Sequence, residues 1–273
     1  MYTVVEEPVP ATALILDIRG FTTEMSVTVG DSRARLQLLE VLAAMNGAVV
    51  QSVLVALPPP LRGRLAEYVH VGSTGDGAIV IFLHEDHARH ATLATLLIRS
   101  AMLQVCERYT EQCGRPLAFG IGVESGCVNH VGATLPLKLG TYIGECINAA
   151  ARAESLTKEI HRTEVIFCSE LVGQLADALL QADYPALMRG TEIPAGSISD
   201  GEYLDNERAM VEVNRRLCVN YLHMHLLRGF GDPIALFRLS KSSAALGNPR
   251  FDRLIELLVE EDGTWMAEVR AGL

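Results

Sequence analysis

Two periods alternate along the chain. Residues 11–18 (ATALILDI) form a short apolar run that ends at Asp17-Ile18-Arg19-Gly20, the pattern of a buried strand meeting a turn. Behind a capping Asp31, the residues Leu36, Leu39, Leu42, Ala43 and Val50 recur at helical spacing and predict a helix over 32–52. Pro58-Pro59-Pro60 interrupts the chain and starts a surface loop. Two strand-like runs, 67–71 and 78–83, flank Gly72-Ser73-Thr74-Gly75-Asp76-Gly77 and predict a hairpin. A long amphipathic helix follows over 84–109, then a second strand pair, 117–123 and 127–131, around Glu124-Ser125-Gly126. An Ala-rich helix over 144–156, a strand over 164–168 and a helix over 169–182 complete this part. Hairpin-joined strands alternating with helices predict an α+β fold with a mostly antiparallel central sheet flanked by helices. After about residue 206 the texture changes, and helices are expected over 207–227 and 251–260 around a Gly-rich break. This predicts a C-terminal helical extension, in which Leu254, Leu257 and Leu258 mark a packing face.

Composition and charge narrow the function. The 273 residues carry a formal net charge of −10, which argues against nucleic acid or an anionic membrane as the main partner. No apolar run is expected to reach the roughly 18 residues that a membrane span needs, and the most apolar helical stretch, 93–105, is cut by Arg99. The N-terminus lacks a signal-peptide pattern, so a cytoplasmic location is expected. The six cysteines form no C-x-x-C pair and predict reduced, mostly buried thiols rather than disulfides or zinc. His84, His87 and His90 fall where a helix leaves a strand and are expected to be solvated, and His223 and His225 to face apart on a helix.

Three groups of residues suggest chemistry. Asp17 ends a buried strand just before Gly20-Phe21-Thr22, where it fits a turn cap or a carboxylate beside phosphate-holding backbone amides. Asp76 sits between two glycines at a hairpin tip, a simple turn or a second open carboxylate, and two such carboxylates suit two-metal phosphoryl chemistry. Asn148 and Arg152 lie at i, i+4 and share one helix face, a carboxamide and a guanidinium suited to a sugar and a phosphate.

Together these motifs resemble the class III nucleotidyl cyclases, the adenylate/guanylate cyclase catalytic domain with its ferredoxin- or palm-like sheet. The matching stretches are LILDIRGFT (14–22), GDGAIVIF (75–82), GIGVESGCVNHVG (120–132) and IGECINAAARAE (143–154), in the family's order. The resemblance covers residues 10–205 as a catalytic domain and leaves 206–273 as the extension, for packing or regulation. It implies that Asp17, Asp76 and the backbone of Ile18 hold two Mg²⁺ or Mn²⁺ ions per site, and that Gly20, Phe21 and Thr22 cradle the triphosphate. It also implies that Asn148 orients the ribose, that Arg152 stabilises charge at the α-phosphate, and that a late basic residue, for which Arg189 is the candidate, holds the terminal phosphates. It further implies a head-to-tail homodimer, the aspartates of one subunit meeting the Asn/Arg pair of the other. The reaction implied is conversion of a nucleoside triphosphate to a 3′,5′-cyclic nucleotide and pyrophosphate. The alternative from another class is a nucleotide-binding pseudocyclase acting as a dimer partner, but all four signature residues are retained.

The base-reading positions depart from the purine pattern. The position three residues before the hairpin Gly-Asp, a Lys in adenylate and a Glu in guanylate cyclases, is Gly72. The position seven residues before Asn148 is Thr141, which alone selects no base. The chain is thus also similar to the stand-alone Pycsar-type bacterial pyrimidine cyclases. UTP is the expected substrate, with Thr141, the 72–74 backbone and Tyr142 around a smaller base, and ATP is next. Cyclic UMP would then act on a cyclic-nucleotide-gated effector in antiphage defence.

Overall fold

The computed structural model describes residues 2–3, 7–133, 140–160, 163–180, 211, 213–240, 244–259 and 263–273. The first strands, β1 (Tyr2–Thr3) and β2 (Val9–Arg19), lead through α1 (Phe21–Val27) to α2 (Ser32–Ala56). Two single-turn helices, α3 (Pro59–Arg62) and α4 (Leu65–Tyr68), precede the hairpin of β3 (Val69–Ser73) and β4 (Gly77–Phe82). Then come α5 (His87–Cys113), β5 (Ala118–Ala133), β6 (Gly140–Ile143), α6 (Glu145–Leu156), β7 (Val165–Cys168) and α7 (Ser169–Leu175). The chain closes with β8 (Val219–His225), β9 (Ile234–Leu239), α8 (Pro249–Val259) and α9 (Thr264–Gly272). The sheet runs β3-β4-β2-β5-β7-β9-β8, with β1 and β6 also on β5. Every pairing is antiparallel except β5 with β7. The expected α+β layout is therefore present.

The strand pairing follows from residue type. β2 carries an alternating apolar pattern in which Leu14, Leu16 and Ile18 face α2 and α5, while Ala11 and Ala13 face α6. With both faces covered, the run needs no polar alternation. Asp31 caps α2 by accepting from the backbone N–H groups of Arg33 and Ala34. The core stripe of α2 is Leu38, Val41, Met45, Val49 and Val53. The apolar residues Leu36, Leu39 and Val50, which the periodicity marked as the core face, are exposed, because α2 is apolar on both sides. By length and composition α2 is also long and apolar enough to cross a membrane, which the expectation from 93–105 did not include. Its buried stripe packs on the core with α5.

Three expectations change. Residues 117–131 are not a hairpin: β5 is one 16-residue strand, paired with β2 from Val9↔Val128 to Arg19↔Ala118. Glu124-Ser125-Gly126 lies mid-strand, where the long β2 partner keeps it extended. The helix expected over 207–227 is, in its last part, β8, whose partner β9 joins the central sheet through β7. The C-terminal segment thus contributes strands as well as helices. The irregularity between Tyr221 and Met224, with His223 at φ 73°, breaks the strand's alternation and gave the segment its non-strand pattern. The helix expected over 251–260 is α8, in which Leu254, Ile255 and Leu258 are buried and Leu257 is half-buried, and the Arg89 side chain donates to the carbonyls of Leu257 and Leu258; α9 was not expected.

The third change concerns the histidines. His87 and His90 are buried rather than solvated. His87 Nδ1 lies 2.7 Å from Thr12 Oγ1, which also meets Ser125 Oγ at 2.7 Å. His90 Nδ1 lies 3.2 Å from His84 Nε2, and its ring meets the edge of Trp265, whose indole N–H donates to the Val55 carbonyl at 2.8 Å. These rings bridge the sheet end, α5, α2 and α9. Burial pushes His87 down to about 4 and His90 down to about 3, with the His84 ring adding to both shifts. Both groups are therefore neutral in the fold and gain protons on unfolding. Their linkage makes stability full above about pH 6.5 and progressively lost as pH falls toward 4. The urea midpoint is expected to drop between pH 7.5 and pH 5, and His90→Phe should flatten that drop. A pH-independent midpoint in the native chain would show that the cluster is not protonation-linked.

Candidate functional site

The site begins at the end of the central strand pair. Asp17 lies opposite Gly77 in the β2–β4 register, and the Ile18 N–H donates to the Asp76 carbonyl at 3.2 Å. The hairpin tip is thereby tied to the residue after Asp17, which brings the two aspartates together at one sheet end. Gly77 is required there: a Cβ would stand 2.2 Å from the Leu16 carbonyl and 3.3 Å from Asp17 Cα. Gly75, at φ 100°, supplies the left-handed turn before Asp76. Gly20, at φ 74°, turns the chain from β2 into α1, and Thr22 Oγ1 donates to Asp76 Oδ2 at 3.2 Å. Phe21 is buried in the core and anchors that turn, while Gly20 and Thr22 are exposed.

Lys158, just past α6, was not found in the sequence. Its Nζ is 2.9 Å from Asp17 Oδ2 and 3.4 Å from Glu154 Oε1, the longer contact being an ion pair without a hydrogen bond. Partial burial works against the Lys158 ammonium, but the bonds to Asp17 and the field of Glu154 outweigh it and its pKa ends raised. Burial raises the Glu154 carboxyl, partly countered by Lys158. Arg19 is lowered by burial, with Glu154, Glu164 and Asp17 opposing. The signal in the sequence was the i, i+4 Glu154–Lys158 pair, whose link to Asp17 is visible only in three dimensions.

The donor set tests whether divalent cations fit. Two carboxylates and the Ile18 backbone offer only oxygen, the chemistry of Mg²⁺ or Mn²⁺ rather than of zinc. No cluster of three or more His, Cys, Asp or Glu side chains suited to a metal occurs among the described residues. Two carboxylates fit a cation that completes its shell with water and substrate phosphate, as Mg²⁺ commonly does.

Asn148 and Arg152 are carried on α6, which lies directly on β5. The strand face under the helix is cut down to glycine. A Cβ at Gly122 would stand 2.0 Å from the Ala150 carbonyl and 2.4 Å from Glu154 N; at Gly120 it would meet Thr157 Oγ1 at 2.2 Å. At Gly126 it would press on Cys146 Cβ at 3.1 Å. The glycines at 120, 122 and 126 share one face by strand alternation, and this is the physical content of the GIGVESG stretch. Both Asn148 and Arg152 are exposed, and no bond links either to Asp17 or Asp76 among the described residues. Asn148 and the end of α6 at Leu156 are separated by about 12 Å of helix. Asn148 instead lines a cavity of about 670 Å³ with Glu124, Asn129, Glu145 and Glu170.

Glu124 forms the buried end of that cavity. Its Oε1 accepts from the Ser125 and Leu171 N–H groups at 2.8 and 2.9 Å, yet burial pushes its carboxyl up to about 8. Of the base-reading positions, Gly72 lies on β3 opposite Ile79, and Thr141 is exposed on β6 opposite Val131. Arg189 lies outside the described residues.

No family model matches the sequence, and no curated protein matches it. Solved structures do. The chain is similar to the crystal structure of the guanylyl cyclase Cya2, at 17% identity and a TM-score of 0.54, over 86% of this chain and 94% of that one. It is similar to the adenylyl cyclase CyaB from P. aeruginosa, at 16% identity and a TM-score of 0.54, over 90% of this chain and 100% of that one. A bacterial light-regulated adenylyl cyclase matches at 13% identity and a TM-score of 0.53, over 98% of this chain but 58% of that one. The chain has the class III cyclase catalytic fold. Adenylyl and guanylyl cyclases match it equally well, so the fold carries no choice of base.

The glycine face yields a test. Gly122→Ala must displace the α6 backbone and is expected to cost about 1–3 kcal/mol by overpacking. Gly47→Ala, at an open position in α2 with nothing within 4 Å of the added carbon, should instead be neutral or stabilising by up to about 1 kcal/mol. Equal unfolding midpoints for the two variants would refute the close approach of α6 to β5.

Proposed function

We propose that the protein is a metal-dependent nucleotidyl cyclase that closes a nucleoside triphosphate into a 3′,5′-cyclic nucleotide and releases pyrophosphate. The observation that carries this reading is the joining of Asp17 and Asp76 across neighbouring strands by the Ile18–Asp76 backbone bond. Asp17, Asp76 and the Ile18 backbone would hold two Mg²⁺ or Mn²⁺ ions, which supply charge neutralisation on the triphosphate and activation of the ribose 3′-oxygen. Gly20, Phe21 and Thr22 form the turn beside the phosphates, and Thr22 fixes the Asp76 carboxylate. Asn148 orients the ribose so that its 3′-oxygen lies in line with the α-phosphate. Arg152 stabilises the charge that builds on that phosphate. Arg189 remains the proposed holder of the terminal phosphates.

A head-to-tail homodimer with two composite sites, the aspartates of one subunit meeting Asn148 and Arg152 of the other, completes this reading. Residues 10–205 are the proposed catalytic domain, and residues 206–273 add packing to it. UTP is the first substrate in this reading, because Gly72 offers no side chain to a purine and Thr141 alone selects no base; ATP is the next. Cyclic UMP would serve as a cytoplasmic second messenger for a cyclic-nucleotide-gated effector in antiphage defence.

Incubation with an equal mixture of the four NTPs and Mn²⁺ is expected to give cyclic UMP as the main product. Cyclic AMP as the main product would overturn the base and keep the cyclase; no cyclic product from any NTP would leave a nucleotide-binding dimer partner. Asp17→Ala and Arg152→Ala are each expected to lose at least about 10²-fold in kcat. Mixing the two variants should restore a fraction of native activity, since one hybrid site is intact. Subunits that exchange and restore nothing would rule out the composite site.

A further inference from the structure

The side chains around Gly72 form a built feature that the signature motifs do not include. On the α6 side of the sheet, strand register lines up His70 with Ile81 and Ala13, and Gly72 with Ile79 and Ile15. Ala13 and Ile81 are buried against α6, but Ile15 and Ile79 are only half-buried, so the sheet floor stays partly open along the Gly72 row. Tyr142 folds over this floor from β6. Its ring lies between two imidazoles, 5.2 Å from the His70 centroid and 5.0 Å from that of His130, its cross-strand partner. Three rings contributed by β3, β5 and β6 thereby wall one side of the floor. Strand alternation sends the neighbouring Thr141 to the other side of β6.

Gly72 opens directly onto this wall. A Cβ there would lie 3.6 Å from His70 Nε2 and 3.0 Å from Ile79 Cγ2. The glycine position is thus already bordered by a polar ring nitrogen and an apolar methyl. A longer side chain from residue 72 would have to displace the Ile79 side chain or run against the imidazole. Between them, the floor and the wall present an apolar base, one aromatic face and one nitrogen that either donates or accepts. That is the equipment needed to take a flat, heteroatom-edged ring: an aromatic face stacks on it, and a matched edge contact discriminates between rings.

We propose that Tyr142 and His70 select the base in this half-site, with Tyr142, buttressed by His130, limiting its size and His70 meeting its edge. The proposal rests on the cyclase reading and names side chains for the base selectivity that Gly72 and Thr141 leave unassigned. On this proposal the ring taken is a single six-membered pyrimidine, and Tyr142 is the side chain that disfavours a fused purine.

The test compares products from an equal mixture of the four NTPs with Mn²⁺, together with KM and kcat for each NTP. Tyr142→Ala is expected to raise the ratio of purine to pyrimidine product at least 10-fold, mainly through KM. Tyr142→Phe, which keeps the ring, should hold the native ratio. His70→Ala should raise the KM of the preferred pyrimidine at least 10-fold while changing its kcat less, and His70→Gln should recover part of the loss. Circular dichroism and unfolding midpoints report whether each variant folds, and the conservative variants carry the test if an alanine variant does not. Ratios and KM values equal to the native ones in folded variants would overturn the proposal and leave the cyclase standing. Uniform losses on all four NTPs would do the same, as would a native preference for a purine. Absence of any cyclic product from the native chain would remove the cyclase reading itself, and this proposal with it.

Discussion

The pairing of β2 with β4 on one side and β5 on the other fixes the positions on which the rest of the structure depends. Its register sets Asp17 opposite both Gly77 and Gly120. Side chains alternate along a strand, so a slip of one residue would turn Asp17 to the opposite face and bring Leu16 out of the core. Such a slip is opposed on both faces. Leu14, Leu16 and Ile18 are buried against α2 and α5, and Ala11 and Ala13 against α6. The eleven pairs with β5 make the register long as well as double-sided. An acidic side chain at the end of such a strand is held by core packing some distance away, which is how a site gains precision from a rigid scaffold.

The same strand pair positions α6. Because β5 presents glycine at 120, 122 and 126, α6 comes close onto the strand at these positions. Asn148 and Arg152 therefore have their direction set by β5, and β5 has its register set by β2. Lys158 closes the loop by joining the end of α6 back to Asp17. The buried histidine and Trp265 contacts extend this coupling to the C-terminal helix, since α9 is tied to α2 through the Val55 carbonyl.

What could be read from the sequence follows physical lines. The β3–β4 hairpin, the Asp31 cap and the helices α2, α5 and α6 were legible because each rests on local signals: a glycine-bounded turn, an N-cap, or helical periodicity. Glu124-Ser125-Gly126 misled because a polar, glycine-containing triplet normally marks a turn. Here Gly126 makes room for Cys146, and Glu124 is satisfied by N–H groups from a distant helix, α7. The histidines misled because their partners, Thr12 and Trp265, lie 75 and 175 residues away from His87 and His90 in the chain. The strand β8 was hidden by an irregularity that cancels its period of two. At the site, Asp17, Asp76, Asn148 and Arg152 were legible as a pattern. Tyr142 was named beside the base from the sequence, whereas Lys158 and His70 acquire meaning only through contacts between elements.

Charge imposes the final constraint. A chain with a net charge of −10 repels a nucleoside triphosphate at long range, so on the proposed reading attraction must be supplied at the site itself. Two aspartates alone would deepen the repulsion. Lys158 compensates Asp17 within the chain, and its second neighbour, Glu154, lies 3.4 Å away. If Asp17 turned to a cation, the ammonium would still face a carboxylate, so Asp17 could exchange one counter-charge for another without leaving Lys158 uncompensated. A divalent cation arriving with the triphosphate brings positive charge where the carboxylates need it and where the phosphates carry their negative charge. On the proposed cyclase reading, the acidic chain would favour substrate only in its metal-bound form, and Arg152, exposed on α6, would supply a fixed positive charge that does not depend on that cation.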